Sequence, residues 1–315
     1  MRLKCCTSIN LMTLYRRIEY SLQITTKFQP QLPIIVTLNM NMVIVIQCTD
    51  QVGLVAKISG LLANESYNIL SMHEHVDKAE NLFFMRLEVN KQSEGSLLEE
   101  KLRELLPEGA LIKVNPDPVK KVIVMVTKEY HCLADILIRN YFKTLGASVQ
   151  CVIGNYTNLE DICRRFDVPF HHVPYEGPHP ESEQRVINIV DQYEYDYIVL
   201  AKFMRILSPD FVRRFPKKII NIHHSFLPAF VGANPYKQAY ERGVKLVGAT
   251  AHFVTDELDE GPIIAQQIIS ADHSLTAADM MKAGKEIETA VLAKALKAVF
   301  DDRVFIYKNK TVVLE

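Results

Sequence analysis

Val122-Ile-Val-Met-Val126 is a run of five apolar residues, and the helical stretch Leu133–Leu145 and a second apolar run, Ser148–Ile153, follow it. Strands that are apolar throughout are typical of a sheet buried on both faces, and helices of ten or more residues between them indicate parallel crossovers. The alternation continues as Leu159–Phe166, Phe170–Val173, Glu183–Tyr193 and Tyr197–Leu200. We therefore predict that residues 120–315 form a doubly wound, mostly parallel α/β sheet with ligands at the carboxyl ends of its strands.

Residues 42–115 follow a different order of elements. The pattern predicts a strand, a helix, two strands, a charged helix and a final strand, which is the ferredoxin-like βαββαβ arrangement. These elements are Met42–Gln47, a helix ending near Asn64, Asn68–Val76, Asn81–Asn90, Ser96–Leu106 and Leu111–Val114. Residues 116–119 contain Pro116 and Pro118, which favour extended backbone and suit a linker between the two domains.

Residues 1–41 form an extension with five basic residues and one acidic residue. This composition is typical of an organellar targeting peptide, but a non-native extension upstream of a later start at Met40 or Met42 also explains it. We favour the second interpretation, because the segment lacks an amphipathic stripe and contains Pro30 and Pro33.

The composition excludes a disordered, a collagen-like or a highly charged protein. The chain of 315 residues is 48% hydrophobic and 23% charged, as globular proteins are. Its 36 Lys and Arg against 37 Asp and Glu provide no broad basic field, so we expect no nucleic acid and no membrane surface as a partner. The most apolar stretch, Leu32–Cys48, is too short and too interrupted to span a bilayer. Six cysteines without a C-x-x-C pair indicate neither disulfides nor a metal site, and they favour the cytoplasm.

We expect no dinucleotide site at Thr127–Cys132, the turn after the first strand of the large domain. A pyrophosphate needs glycine for close backbone approach, and this turn has Tyr130 instead. The whole sequence contains no G-x-G.

A cluster of polar residues, Asn221-Ile-His223-His224-Ser225, follows the apolar strand that begins near Lys218. Asn221 and His223 point to the same face of a strand, where an amide and an imidazole can together polarise a carbonyl. A pair of satisfied, half-buried polar residues explains the same spacing. Neighbouring strand residues face opposite ways, so His223 and His224 are not predicted to share a metal ion.

An acidic turn closes the next strand pattern and ends at Gly261-Pro262. We expect three of its four carboxylates to face water and one to lie beside His223, where it would orient the imidazole. The spacing does not choose among the four, which are Asp256, Glu257, Asp259 and Glu260.

These motifs resemble the folate-dependent formyltransferase family. Asn221-Ile-His223, with Asp259 in Leu-Asp-Glu-Gly-Pro-Ile-Ile, is similar to the catalytic triad of that family. The run Leu200–Leu207 is similar to the segment that lines its folate pocket. The resemblance implies that Met204, Arg205, Ile206 and Leu207 contact the pterin and that Lys202 and Arg205 are partners of the glutamate tail.

Within that family the chain resembles members that hydrolyse the formyl group. The turn Lys128–Cys132 replaces the Gly-Ser-Asn loop with which the ribonucleotide transferases hold phosphate, and His224 stands where they carry proline. The resemblance therefore implies 10-formyltetrahydrofolate and water as substrates, formate and tetrahydrofolate as products, and no separate cofactor. It implies that the formate serves purine biosynthesis and balances the one-carbon pool. His224 is expected to narrow the side of the active site on which a transferase would bind its acceptor substrate.

Each member of the triad has an expected role. Asn221 donates to the developing oxyanion, His223 stabilises that oxygen or protonates the leaving nitrogen, and Asp259 positions the water and accepts its proton. A formyltransferase that acts on a sugar amine or another nucleophile would share this triad, and a non-catalytic amino-acid sensor would retain the fold without turnover.

The run Cys48-Thr-Asp50-Gln-Val-Gly53-Leu54 resembles an ACT regulatory module. The resemblance implies a homo-oligomer formed through this domain, with methionine or glycine as effectors at Asp50, Gly53 and Leu54. A purely structural dimerisation domain is the alternative.

Overall fold

The computed structural model describes residues 41–90, 95–115, 119–175, 179–228 and 235–315. Residues 1–40 of the extension and residues 116–118 of the proposed linker lie outside the described residues. Within the described ranges, no helix is both long enough and apolar enough to cross a membrane.

The first domain is a four-stranded antiparallel sheet with two helices, in the βαββαβ order that the sequence predicts. Its strand order is β2-β3-β1-β4, and apolar residues of β1 and β3 pack against the helices. The elements are β1 (Met42–Thr49), α1 (Leu54–Asn64), β2 (Ile69–Asp77), β3 (Leu82–Val89), α2 (Ser96–Leu105) and β4 (Leu111–Asn115).

The second domain is a seven-stranded sheet in the order β11-β10-β9-β8-β5-β6-β7. The pairs among β5 to β9 are parallel, whereas β10 pairs antiparallel with both β9 and β11, so the predicted mostly parallel α/β fold is confirmed. The strands are β5 (Lys120–Val126), β6 (Ala147–Gly154), β7 (Phe170–His172), β8 (Tyr197–Leu200), β9 (Ile219–His223), β10 (Leu246–Phe253) and β11 (Ile263–Ser270).

Six helices cover this sheet in the described residues. They are α3 (His131–Tyr141), α4 (Glu160–Arg165), α5 (His179–Val190), α6 (Pro209–Arg214), α7 (Pro235–Arg242) and α8 (Ala277–Phe300). The helix predicted over Leu133–Leu145 begins two residues earlier and ends at Tyr141, because Lys143 adopts a left-handed backbone with φ 58°. A short 3₁₀ turn, Thr157–Leu159, precedes α4.

The strand order reverses at β5, because β6 and β7 lie on one side of it and β8 and β9 on the other. Clefts form at such a reversal, outside the carboxyl ends of the strands. The polar motifs of β5, β8 and β9 therefore converge at one edge of the sheet.

The end of α8 joins the two domains. Asp302 accepts hydrogen bonds from Lys120 and from Asn115, at 2.5 and 3.0 Å, and lies 3.4 Å from Lys113. Nε of Arg86 on β3 donates to the carbonyl oxygen of Asp301 at 2.7 Å. A hairpin of β12 (Val304–Tyr307) and β13 (Lys310–Val313) follows and packs Phe305 on Phe84 of the first domain.

Candidate active site

Asn221 and His223 both line one cavity at the carboxyl end of β9, as the two-residue period of a strand predicts. β10 runs antiparallel beside them and places Thr250 opposite His223 and His252 opposite Asn221. His223 is only 5% exposed, and no described residue bonds to its Nε2 atom. The ring therefore presents an unused nitrogen next to the amide of Asn221.

His252, a residue to which the sequence assigns no role, fixes the amide of Asn221. Its Nε2 lies 3.2 Å from Nδ2 of Asn221, and its Nδ1 lies 2.9 Å from the carbonyl oxygen of Phe253. Burial lowers the pKa of His252, so the neutral ring donates from Nδ1 and accepts from Asn221 at Nε2. One hydrogen of the amide is thereby held, and the other is left for a ligand. Antiparallel pairing with β9 was the signal that could have identified His252.

Asp259 is the carboxylate of the acidic turn that lies beside His223. Its Oδ1 is 3.3 Å from Nδ1 of His223 and 3.7 Å from Nε2 of His252. Burial raises the pKa of Asp259, but the hydrogen bond and charge of His223 lower this pKa by a larger amount. The pKa of Asp259 therefore lies below its ordinary value. The other three carboxylates, Asp256, Glu257 and Glu260, are exposed, as the sequence predicted.

Backbone geometry brings Asp259 to this position. Asp259 has a left-handed φ of 57°, which turns the chain sharply after the exposed Leu258. Two residues later the backbone at Gly261 passes against the carbonyl group of Phe253, where the Cβ of any other residue would collide. The close approach explains the glycine in the Leu-Asp-Glu-Gly-Pro motif.

The loop after His223 is held by two side chains from β10 and β11. Thr250 donates to the carbonyl oxygen of Ser225 at 2.9 Å and accepts from the backbone N–H of Leu227 at 3.1 Å. Gln266 donates to the carbonyl oxygen of Leu227 at 3.0 Å. These bonds fix the chain that carries His224.

His224 turns toward His223, contrary to the expectation that the two rings face opposite ways. Their ring centroids are 5.0 Å apart, and both residues line the same cavity. The strict alternation fails because β9 ends at His223. Burial, followed by the charges of Lys202 and His223, lowers the pKa of His224 to about 4, so this imidazole is neutral near pH 7.

The cavity measures about 280 Å³, close to the lower limit of about 300 Å³ for small-molecule sites. Met204, Arg205, Ile206 and Leu207 line it together with the triad. The backbone N–H of Met204 donates to Oγ1 of Thr127 at 2.9 Å, which ties this segment to the end of β5. Met204 and Ile206 are exposed at the mouth, where they can cover a flat ring system.

Lys202 does not line this cavity, and the expected contact with a glutamate tail is wrong for its position. It is 7% exposed, and its ammonium group lies 3.2 Å from the carboxylate of Glu288 on α8. A left-handed backbone, with φ 60°, directs the residue inward. A lysine stem is long enough to point to either side of a strand end, so the sequence could not settle its direction.

Glu288 is the centre of a buried cluster that also includes Lys202, His131 and Tyr236. Nε2 of His131 and the hydroxyl of Tyr236 bond to its carboxylate at 2.7 and 2.9 Å. Burial raises the pKa of Glu288, but His131 and Lys202 lower this pKa by a larger amount. The carboxylate is therefore charged. Gly284, one turn earlier on α8, makes room for the Tyr236 ring, which a Cβ would strike. One metal ion could be reached by His131, Cys132 and Glu288 together. The Glu288 carboxylate, however, already forms an ion pair with the ammonium group of Lys202.

The three residues expected to bind an effector lie at the turn between β1 and α1. Gly53 is exposed and Asp50 is half-buried, but the side chain of Leu54 is 2% exposed and belongs to the core. Only the backbone of Leu54 is therefore available to a ligand at this turn.

Two family models match the chain. One described as formyl transferase matches residues 120–296, and one described as ACT domain matches residues 42–106. The fold and the site thus define an ACT-containing protein of the formyl transferase class.

Curated and solved relatives narrow this class. A formyltetrahydrofolate deformylase of Escherichia coli strain K12 is 49% identical over 268 residues, which cover 85% of this chain and 96% of the relative. A crystal structure of a formyltetrahydrofolate deformylase from Pseudomonas syringae matches with a TM-score of 0.82 and 38% identity, covering 87% of this chain and 94% of that one. The chain belongs to the formyltetrahydrofolate deformylase family.

A transferase structure matches a smaller part of the chain. Glycinamide ribonucleotide transformylase 1 from Symbiobacterium toebii gives a TM-score of 0.60 at 27% identity, covering 63% of this chain and 95% of that one. This chain and the transformylase therefore have the same fold over somewhat less than two thirds of this chain.

Proposed function

We propose that this protein hydrolyses 10-formyltetrahydrofolate to formate and tetrahydrofolate, with water as the acceptor. The observation that carries the proposal is the buried cluster around Glu288, next to the neutral His224. Tyr236 of this cluster lies with its ring centroid 6.3 Å from that of His224. In this proposal the side chains of the cluster and the ring of His224 occupy the side of the cavity that an acceptor amine would need, and water takes the place of the amine.

The triad supplies the chemistry. The oxygen of water adds to the formyl carbon, and one proton of that water passes to the Asp259 carboxylate. The amide of Asn221, already oriented by His252, donates to the oxyanion that forms, and removal of one such donor typically lowers kcat about 10²–10³-fold. Nε2 of His223 faces the same oxygen and the leaving nitrogen.

The second half of the reaction breaks the carbon–nitrogen bond. His223 donates a proton from Nε2 to the departing folate nitrogen, since an unprotonated amide anion would be a poor leaving group. The pair of electrons of the broken bond remains on that nitrogen. As Nε2 gives up its proton, Asp259, 3.3 Å from Nδ1, passes to Nδ1 the proton that it took from water, so the imidazole ends neutral and the carboxylate is restored. The oxyanion re-forms the carbonyl group as the bond breaks, and the formic acid released loses its proton to solvent. The products are formate and tetrahydrofolate, and the formate is then available to purine biosynthesis.

The experiment is an assay of formate release with no added amine, in the parent protein and in Asp259→Asn. Glu257→Gln is the matched control, because Glu257 is an exposed carboxylate of the same turn. We expect release by the parent and the control and a loss of about 10²–10⁴-fold in Asp259→Asn, as for a lost general base. Equal rates in both variants would exclude Asp259 from the chemistry, and transfer only to an added amine would make the protein a transferase.

The first domain is proposed to form a homo-oligomer. β2 is an edge strand of the small sheet, and it exposes Leu70 and Met72, at 48% and 43%. An open edge with exposed apolar residues is a template for pairing with a second copy. Sedimentation should show a dimer or larger species that Met72→Glu dissociates, and an unchanged mass in that variant would contradict the proposal.

Methionine or glycine is proposed to bind at Asp50 and Gly53 and to change the rate of hydrolysis. Calorimetry with each amino acid tests this, with Asp50→Asn as the site variant and Glu104→Gln, an exposed carboxylate of α2, as the control. Heat of binding that only Asp50→Asn abolishes supports a sensor. No heat and no change in rate would leave a structural dimerisation domain.

A further inference from the structure

A second cavity adjoins the catalytic cavity at the same edge of the sheet. It measures about 600 Å³ and lies at the ends of β5, β6 and β7. Arg205 lines both cavities, so the two are separated by the width of one side chain. A ligand in the first can therefore extend into the second.

The described residues that line this second cavity are rich in hydrogen-bond donors and include no carboxylate. Lys128 and Arg205 contribute positive charge, and neither has a carboxylate partner among the described residues. Nζ of Lys128 lies 4.2 Å from the centre of the Tyr156 ring, and Arg205 reaches the hydroxyl of Tyr156 at 3.5 Å. Within the part of the chain that the structure describes, both cations thus contact one aromatic side chain and are available to bind an anion.

Asn155 makes this a built site. The residue is only 4% exposed, and its Oδ1 accepts from Oγ1 of Thr127 at 2.9 Å. That bond fixes the side-chain orientation, so Nδ2 is committed as a donor, and no described residue accepts from it. His172 bonds to the carbonyl oxygen of Asn155 at 3.1 Å and holds the backbone. A buried, oriented and unused N–H in a cavity with two free cations calls for an acidic ligand.

We infer that the second cavity binds the carboxylates of a γ-linked polyglutamate tail on the folate substrate, an inference that rests on the proposed function. The folate bound at the triad carries its own carboxylates away from the pterin, and Arg205 stands where the first cavity ends. Arg205, the amide of Asn155 and Lys128 then bind successive carboxylates, so Lys128 contacts only the longer tail. Thr127, which bonds to both Asn155 and Met204, couples this cavity to the pterin segment.

The test compares the KM and kcat of the full chain with monoglutamate and triglutamate forms of 10-formyltetrahydrofolate. We expect KM for the triglutamate to be about tenfold lower, because two or more charge-assisted hydrogen bonds are added, and kcat to be equal. Lys128→Met should remove most of this difference and leave KM for the monoglutamate unchanged. Lys294→Met, an exposed lysine on α8, is the matched control and should change nothing.

A second variant and a competitor keep the inference open to refutation. Asn155→Asp keeps the acceptor for Thr127 but places a negative charge where the tail would bind, so it should reverse the preference for triglutamate. Equal KM for both forms in the parent, or an unchanged preference in both variants, overturns the inference. Inorganic phosphate that inhibits both forms equally, with no advantage for triglutamate, would also overturn it in favour of a phosphate site. Failure to hydrolyse either form would instead refute the proposed function.

Discussion

Nδ1 of His223 lies 3.3 Å from Oδ1 of Asp259, and the opposite nitrogen of the same ring has no partner among the described residues. The carboxylate thus holds one side of the imidazole while the other side faces the cavity. Buried pairs of this kind orient a ring and stabilise its charged form. In the proposed reaction this pair supplies the proton donor for the leaving nitrogen of the formyl group.

The amide of Asn221 should depend on the acceptor that His252 provides. We expect His252→Leu to lower kcat about tenfold or more, because a misoriented amide donates poorly to the oxyanion. His252→Gln retains a side-chain acceptor and should recover part of the rate. KM should change little in either variant. Equal losses of kcat in the two variants, measured by formate release, would show that His252 acts only through packing.

The buried carboxylate of Glu288 should be important for stability. Glu288→Ala leaves the ammonium group of Lys202 buried without its partner, and breaking such pairs costs about 3–5 kcal/mol. Glu286→Gln, an exposed position on the same helix, should stay within about 0.5 kcal/mol of the parent. Urea denaturation measures both. A loss below about 1 kcal/mol in Glu288→Ala would mean that the cluster is solvated or readily replaced.

The contribution of Asp302 to stability can be tested by substitution, since this carboxylate pairs with the buried Lys120 and also bonds to Asn115 of the first domain. Lys120 is 2% exposed, and Asp302→Ala would leave its ammonium group without the carboxylate 2.5 Å away. We expect unfolding of the variant to require about 3–5 kcal/mol less than that of the parent. Asp272→Ala, on an exposed turn of the same domain, serves as the control. Comparable urea midpoints for the two variants would contradict this role of Asp302.

The low pKa of His224 predicts how stability depends on pH. Between the ordinary value of about 6.5 and the folded value of about 4, the unfolded chain binds a proton at this site and the folded chain does not. The free energy of unfolding should therefore fall as the pH falls from 6.5 to 4, by up to about 3 kcal/mol from this residue. His224→Gln should reduce that fall, as urea titrations at pH 7 and pH 4.5 would show. A pH dependence identical to that of the parent would contradict the buried, neutral state of His224.

Much of the fold could be predicted because the hydrophobic patterns of the strands differ between the domains. Val122–Val126 is apolar throughout and lies in the middle of a sheet covered on both faces, whereas the βαββαβ order of residues 42–115 needs only alternation and turns. Asn221 and His223 were brought together correctly, since the two-residue period of a strand applies to both.

The remaining parts of the site depend on contacts between distant segments. Asp259 could not be chosen among four carboxylates by spacing, because a left-handed residue in a turn decides which one points inward. His252 meets Asn221 only through the antiparallel pairing of β9 and β10. The predicted side-chain directions of His224 and Lys202 are wrong for a similar reason. Each residue lies just past the end of a strand, where the alternation of side chains between the two faces of the sheet no longer applies.

The central claim, that water is the acceptor, is tested most directly by a single turnover of 10-formyltetrahydrofolate in ¹⁸O-labelled water without any amine. We predict that formate and tetrahydrofolate appear in equal amounts and that each formate carries one oxygen from the solvent. If formate is not released, and the formyl group leaves the folate only when an amine is supplied, the protein is a transferase and the account of His224 and Glu288 is wrong.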